Sequence, residues 1–187
     1  MVILTGASAS GKTEVAKLLA KKFSIIKATT TTSRLPRALE KDGVDYFFVS
    51  KERFEELVKE NAFVEHTLYN GNYYGTGKSE ISPSKCVVVD PNGLKSFLGL
   101  KEKDIVTFFL EADEATREAR MTLRGDKKED IIKRLSNDRV SFAPDRIPET
   151  DFIISTDKVG IEEVTDDVYM KYVLLLKGRG VSFFGQK

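Results

Sequence analysis

The sequence predicts an α/β fold: a three-layer arrangement with a parallel sheet between helices, a smaller antiparallel lobe inserted into it, and a short helical lid region. Three observations carry this. Short apolar runs alternate with amphipathic stretches along the chain, at Val2 to Leu4, Ile25 to Ala28, Cys86 to Val89, Ile105 to Leu110 and Phe152 to Ser155. Runs without a polar face suit strands buried on both sides. Between Ala28 and Cys86 the texture changes to aromatic-rich segments and an Asn70-Gly71 turn, which reads as hairpins. Finally, 187 residues can bury one full core with small excursions.

Taken in order, the first strand, Val2 to Leu4, runs into Gly6-Ala7-Ser8-Ala9-Ser10-Gly11-Lys12-Thr13. A helix follows from Thr13 to Lys22, because Val15, Leu18, Leu19 and Phe23 recur at helical spacing. Strand, loop and helix together give G-x-x-x-x-G-K-[ST] in the setting it requires. Its glycines let the backbone curl so that amides face an anion, and the helix adds its positive end. Lys12 supplies a point charge for β- and γ-phosphates, and Thr13 offers a hydroxyl to Mg²⁺. The loop therefore predicts a nucleoside triphosphate site made of Gly6, Ala7, Ser8, Ala9, Ser10, Gly11, Lys12 and Thr13.

In the lobe, Tyr46 to Val49 and Phe63 to Glu65 read as short strands around one helix, Lys51 to Glu60. Back in the core, helices are expected around Gly93 to Leu98, over Glu114 to Leu123, over Asp130 to Arg139 and from Ile161 to about Leu176. The last carries a stripe of Ile161, Val164, Val168, Tyr172 and Leu175, with Asp157 as its cap upstream. Arg124 to Glu129 is a charged loop that can move apart from the core, and Asp126 and Glu129 have capping-box spacing for the next helix. Phe183 and Phe184 in the tail need something to pack on.

Composition excludes several classes. A net charge of +1 gives no global case for nucleic acid or an acidic membrane. Arginines and lysines between Arg117 and Arg146 are interleaved with Glu118, Asp126, Glu129, Asp130 and Asp138, so nucleic-acid binding is not expected. No apolar stretch is long enough for a membrane span, and Lys12, Glu14 and Lys17 interrupt any leader-like core. A cytoplasmic location is the expectation. The single cysteine, Cys86, lies beside Val87-Val88-Val89 and reads as a buried thiol. His66, the only histidine, adjoins Glu65, but neighbours on a strand point to opposite faces and do not make a catalytic pair.

The lobe carries a second constellation. Thr29 to Arg37 places Arg34 and Arg37 around Pro36, and two forked guanidiniums on a stiff turn suit a phosphate. Tyrosines in Asp45-Tyr46-Phe47-Phe48-Val49 and Gly71-Asn72-Tyr73-Tyr74-Gly75-Thr76 can donate to the same phosphate. These blocks, with Thr32-Ser33-Arg34-Leu35-Pro36-Arg37, Asp42-Gly43-Val44-Asp45-Tyr46 and Phe63-Val64-Glu65 in that order behind the phosphate loop, resemble the guanylate kinases over nearly the whole chain.

The resemblance implies transfer of the γ-phosphate of ATP to GMP or dGMP, with Mg²⁺ accompanying ATP. It implies that Arg34, Arg37, Tyr46 and Tyr74 hold the GMP phosphate, and that Thr30, Glu65, Thr76 and Asp90 surround guanine. It implies a lid in which Arg120, Arg124 and Arg134 reach the transferring phosphates, and one domain divided into core (1–32, 83–119 and 140–187), GMP lobe (33–82) and lid (120–139). Carboxylate chemistry agrees, because Glu65 can accept from both the ring N–H and the amine of guanine, whereas adenine would oppose lone pairs. Monomer and homodimer stay equally open.

The chain departs from the family pattern at several positions. Val88 replaces an acidic residue two places before Asp90, Leu39 a glycine, Ala9 a frequent glycine and Ser155 an asparagine near the donor base, while 77–85 is shorter than typical. Two other functions stay in view: a kinase with a different small-molecule acceptor, and a silent guanylate-kinase-like module binding phosphopeptides. Intact Lys12 and Thr13 argue against the second.

Overall fold

In a computed structural model, which describes residues 1–69 and 71–182, β1 (Val2–Thr5) is fully buried. Val2 and Leu4 enter one apolar cluster and Ile3 enters another, as alternation along a strand dictates. The sheet therefore has helices to pack against on both sides. Its other strands are β2 (Ile26–Lys27), β7 (Lys85–Val88), β8 (Val106–Glu111) and β9 (Phe152–Ser155). All pair in parallel, in the order β2-β7-β1-β8-β9.

On one face, α1 (Lys12–Phe23) and α6 (Ile161–Gly178) bury Val15, Leu19, Val164, Val168, Tyr172 and Leu176 against Val2, Leu4 and Phe108. Each such large side chain contributes about 1.5–3 kcal/mol of burial. Phe23 stacks on Tyr169 at 3.7 Å between ring centres. Tyr169 and Leu176 lie in the buried face of α6, while Leu175 is only partly covered; the register of the stripe is shifted from that expectation by one position at its end. On the opposite face α3 (Pro91–Gly99) brings Leu94 and Phe97 to Met1, Ile3 and Val87. Cys86 is buried, and burial pushes its thiol up to about 11.

The second sheet has the order β4-β3-β6-β5, with β3 (Thr31–Thr32), β4 (Phe47–Phe48), β5 (Phe63–Tyr69) and β6 (Asn72–Gly77). Its β5–β6 and β3–β6 pairs are antiparallel, and β3–β4 is parallel. Helix α2 (Lys51–Lys59) is capped by Ser50, whose side chain accepts from the Arg53 amide, and it places Phe54 in a stack with Phe63 and Tyr73. The tail residues Phe183 and Phe184, and Asn70 of the expected turn, lie outside the described residues; Gly71 has φ 73°.

Two expected caps are replaced by other contacts. Helix α5 (Lys128–Ser141) begins two residues earlier than expected, with Lys127 at its N-cap and no side-chain cap. Asp126 cannot serve the box because it accepts from Arg124. Helix α6 starts from Gly160, while Asp157 accepts from the Asp113 amide at 2.9 Å, just before α4 (Glu114–Leu123).

Candidate active site

The loop after β1 is shaped by backbone constraints that side chains would violate. Gly6 has φ 143°, and a Cβ there would lie 2.3 Å from the Leu110 carbonyl oxygen. No other residue fits. Gly11 (φ 93°) turns the chain into α1. Ala9 also adopts a positive φ of 61°, a strained conformation for a residue with a Cβ.

Lys12 reaches back over the loop, donating from Nζ to the carbonyls of Gly6 (2.6 Å) and Ala7 (2.7 Å). Burial lowers its pKa to about 8, against the raising influence of Asp138. Beside it is a cleft of about 340 Å³ whose lining includes Lys12, Thr13, Arg120, Arg124, Thr156 and Ile161. The first amides of α1 have no intrahelical partner and point to this end. The cleft is thus equipped for an anion and a metal-bound phosphate.

Helices α4 and α5 form the far wall. Met121, Ile131 and Leu135 make a small apolar cluster against Ala9. Arg120 donates from Nη1 to the Ala9 carbonyl (3.1 Å) and the Thr156 hydroxyl (3.0 Å), and from Nη2 to the Thr156 carbonyl. Arg124 forms a two-point pair with Asp126, and Arg134 lies 3.6 Å from the same carboxylate. Arg120 and Arg124 line the cleft, whereas Arg134 does not. Asp126 was missed as the group that gathers both outer arginines.

In the lobe, Arg34 donates from Nη2 to both oxygens of Glu40, at 2.8 Å and 2.9 Å. Its guanidinium also sits over the rings of Tyr46 and Phe48, 5.4 Å and 5.8 Å from their centres. Glu40 first, and Tyr74 after it, raise the guanidinium's pKa and keep it charged. Tyr46 and Tyr74 meet edge to face at 6.2 Å. Arg34, Tyr46 and Tyr74 therefore converge, while Arg37 stays on the exposed outer turn with its amide bonded to Glu40.

A separate cavity of about 540 Å³ between β5 and α3 is lined by Glu65, His66, Val88, Asp90 and Ser96 among others. The Thr76 hydroxyl donates to Glu65 Oε1 at 2.6 Å, which aims the carboxylate. Asp90 caps α3, accepting from the Gly93 amide at 2.8 Å, so one of its oxygens already has a structural duty. Thr30 does not line this cavity; its carbonyl accepts from the Phe47 amide. The neighbouring Thr29 amide donates to the buried Glu80, which also pairs with Lys85 at 2.7 Å.

Sequence reasoning also missed Arg117 and Asp138, a buried pair with Nη1 to Oδ2 at 2.7 Å. A signal was present: Asp138 continues the Ile131, Leu135 stripe of α5, and Arg117 lies one turn before Met121. Charges on an apolar face are seldom buried alone.

A phosphate loop at the carboxyl end of a parallel strand, an acceptor lobe rich in arginine and tyrosine, and an arginine-bearing helix pair define a P-loop kinase. The family model described as "Guanylate kinase" matches residues 1–169, and the chain belongs to that family. It is 33% identical over 141 residues to a guanylate kinase of Prochlorococcus marinus strain MIT 9312, covering 72% of this chain and 77% of the relative. To a guanylate kinase of Wolinella succinogenes it is 35% identical over 164 residues, covering 82% and 75%. Its fold is similar to that of guanylate kinase from Anaplasma phagocytophilum, with a TM-score of 0.62 at 23% identity over 96% of this chain and 85% of that one.

Proposed function

We propose that this chain transfers the γ-phosphoryl group of ATP to the phosphate of GMP, releasing ADP and GDP. The observation that carries this is a register: Leu4 of β1 pairs with Val88 of β7 in parallel. The phosphate loop and Asp90 therefore leave adjacent strands at the same edge of the sheet, where open α/β folds bind ligands. Donor and acceptor are thereby brought to one side of the core.

The residues divide the work. Lys12 and the amides of the loop bind the β- and γ-phosphates of ATP. Arg34, Tyr46 and Tyr74 hold the acceptor phosphate, which Arg37 would reach by moving in from its exposed turn, and Glu65, Thr76 and Asp90 read guanine. Arg120 is already seated against the loop; Arg124 and Arg134 would exchange Asp126 for phosphate oxygens. A GMP phosphate oxygen attacks the γ-phosphorus as the bond to the β-bridging oxygen breaks. Such a transfer needs alignment and charge neutralisation more than a protein base.

Mg²⁺ fits this donor set as a guest of the nucleotide. Thr13 lines the cleft, and among the described residues there is no cluster of three or more His, Cys, Asp or Glu side chains. Thr13 and the phosphates would hold the ion, as is usual for Mg²⁺ at such loops, and it would neutralise charge on the phosphates. A coupled assay of ADP release with ATP and GMP, dGMP, AMP, CMP or UMP tests the reading. Turnover confined to guanine acceptors is expected. Turnover only on another acceptor, or phosphopeptide binding without ADP release, would overturn it.

A further inference from the structure

Asp138 is 7% exposed, and its carboxylate takes three donors. Oδ2 accepts from the Ser8 amide at 2.9 Å and from Arg117 Nη1 at 2.7 Å, and Oδ1 accepts from the Ser8 hydroxyl at 3.1 Å. Arg117 is equally buried and reaches toward the Ser8 carbonyl at 3.5 Å. A carboxylate withdrawn from water is tolerable only when it is paired and fully bonded. Both partners of the pair reach the same loop residue, Ser8, and Arg117 Nη2 also lies 4.0 Å from Glu114.

The Ser8 amide and hydroxyl are held by α5, and the Ala9 carbonyl is held by Arg120 of α4, so two consecutive loop residues are tied to the two helices. We propose that Asp138 and Arg117 are positioning residues for the donor triphosphate: through Ser8 they hold the loop in the shape that presents Lys12 and the first amides of α1 to the phosphates. This rests on the reading of the loop as the ATP site. It also makes the roots of α4 and α5 fixed points, so that any lid movement belongs to the residues between them.

The test compares Asp138→Asn, Arg117→Met and Ser8→Ala with the parent. The readouts are KM for ATP, KM for GMP, ADP affinity by calorimetry, and thermal midpoint. Asp138→Asn is expected to raise the ATP KM about tenfold, in line with small misplacements near reacting groups, and to leave the GMP KM unchanged. Arg117→Met should change the same two constants in the same sense. If either core variant fails to fold, Ser8→Ala still cuts one of the three donors and should weaken ADP binding without altering the GMP KM. Unchanged ATP and ADP parameters with only a lower thermal midpoint, or an equal rise in the KM for both substrates, would overturn the proposal. Absence of ATP:GMP turnover in the parent would instead defeat the functional reading, and ADP calorimetry would still judge this one.

Discussion

Glu40 faces Arg34 across the turn 35–39 with both carboxylate oxygens accepting from one nitrogen, Arg34 Nη2, at 2.8 Å and 2.9 Å, while Nη1 donates to the Leu35 carbonyl. The same carboxylate accepts from the Arg37 amide at 2.8 Å. One side chain therefore orients Arg34, which the proposed function assigns to the acceptor phosphate, and closes the turn that carries Arg37. Such paired geometry supplies direction as well as charge. Replacing Glu40 with Ala should raise the KM for GMP about tenfold, as expected when a bidentate orientation is lost, with the KM for ATP unchanged. Steady-state kinetics with each substrate varied in turn checks this. Equal effects on both substrates would mean that Glu40 supports the whole lobe rather than Arg34.

Lys12 titrates near pH 8 because burial disfavours its charge. ATP binding restores a counter-charge, so binding above pH 8 should draw a proton onto Lys12. ADP calorimetry at pH 8.5 in buffers of different ionisation enthalpy should reveal proton uptake, and ATP affinity should weaken as pH rises through 8. The sign for stability is the reverse. Between about pH 8 and the unfolded value of 10.5, the unfolded chain binds more protons at this site, so the penalty for burying Lys12 shrinks as pH rises. The stability advantage of Lys12→Met over the parent should accordingly narrow from pH 8 toward pH 10.5.

Ala9 holds φ 61° while its methyl group packs near Met121, Ile131 and Leu135. Ala9→Gly relieves the left-handed strain but loosens the unfolded chain, so stability should change by less than about 1 kcal/mol. Ala9→Val places a β-branched side chain in the same conformation and should cost about 1–3 kcal/mol. Urea unfolding of the two variants distinguishes them. Activity should survive the first and fall sharply in the second, because the strain lies in the loop that holds the donor.

How much of this was legible in the sequence follows from the range of the forces involved. The phosphate loop, the strands around it and the stripe on α6 depend on neighbours in the chain, and Gly6, Val2 to Leu4 and Val164 to Tyr172 lie as their spacing implied. Asp126 and Asp157 had capping spacing, yet each is claimed by a group that periodicity does not see, the Arg124 guanidinium and the Asp113 amide. Glu40, Glu80 and the Arg117–Asp138 pair were silent for the same reason. Their partners come from turns or from other elements, and only folding brings them close. Arg34 and Tyr74 both lie against Tyr46, while Thr30 presents its backbone to β4 and Arg37 remains outside the cluster.

Glu65 offers the sharpest test of acceptor choice. Its Oε1 is fixed by the Thr76 hydroxyl at 2.6 Å, on a strand that lines the cavity shared with Asp90. In the proposed site a carboxylate there would accept two donors from guanine, whereas the amide of Glu65→Gln would accept one and set its own N–H₂ against the other. A buried donor left without an acceptor costs about 1–3 kcal/mol, which corresponds to a loss of about 5- to 150-fold in kcat/KM for GMP. The KM for ATP should hold, since Lys12 and the phosphate loop are untouched. Thr76→Val removes only the group that aims the carboxylate and should show a smaller loss in the same parameter. The discriminating measurement is the ratio of kcat/KM for GMP to that for AMP, which must fall in Glu65→Gln. If the variant prefers guanine as strongly as the parent, base recognition lies outside the Glu65 cavity.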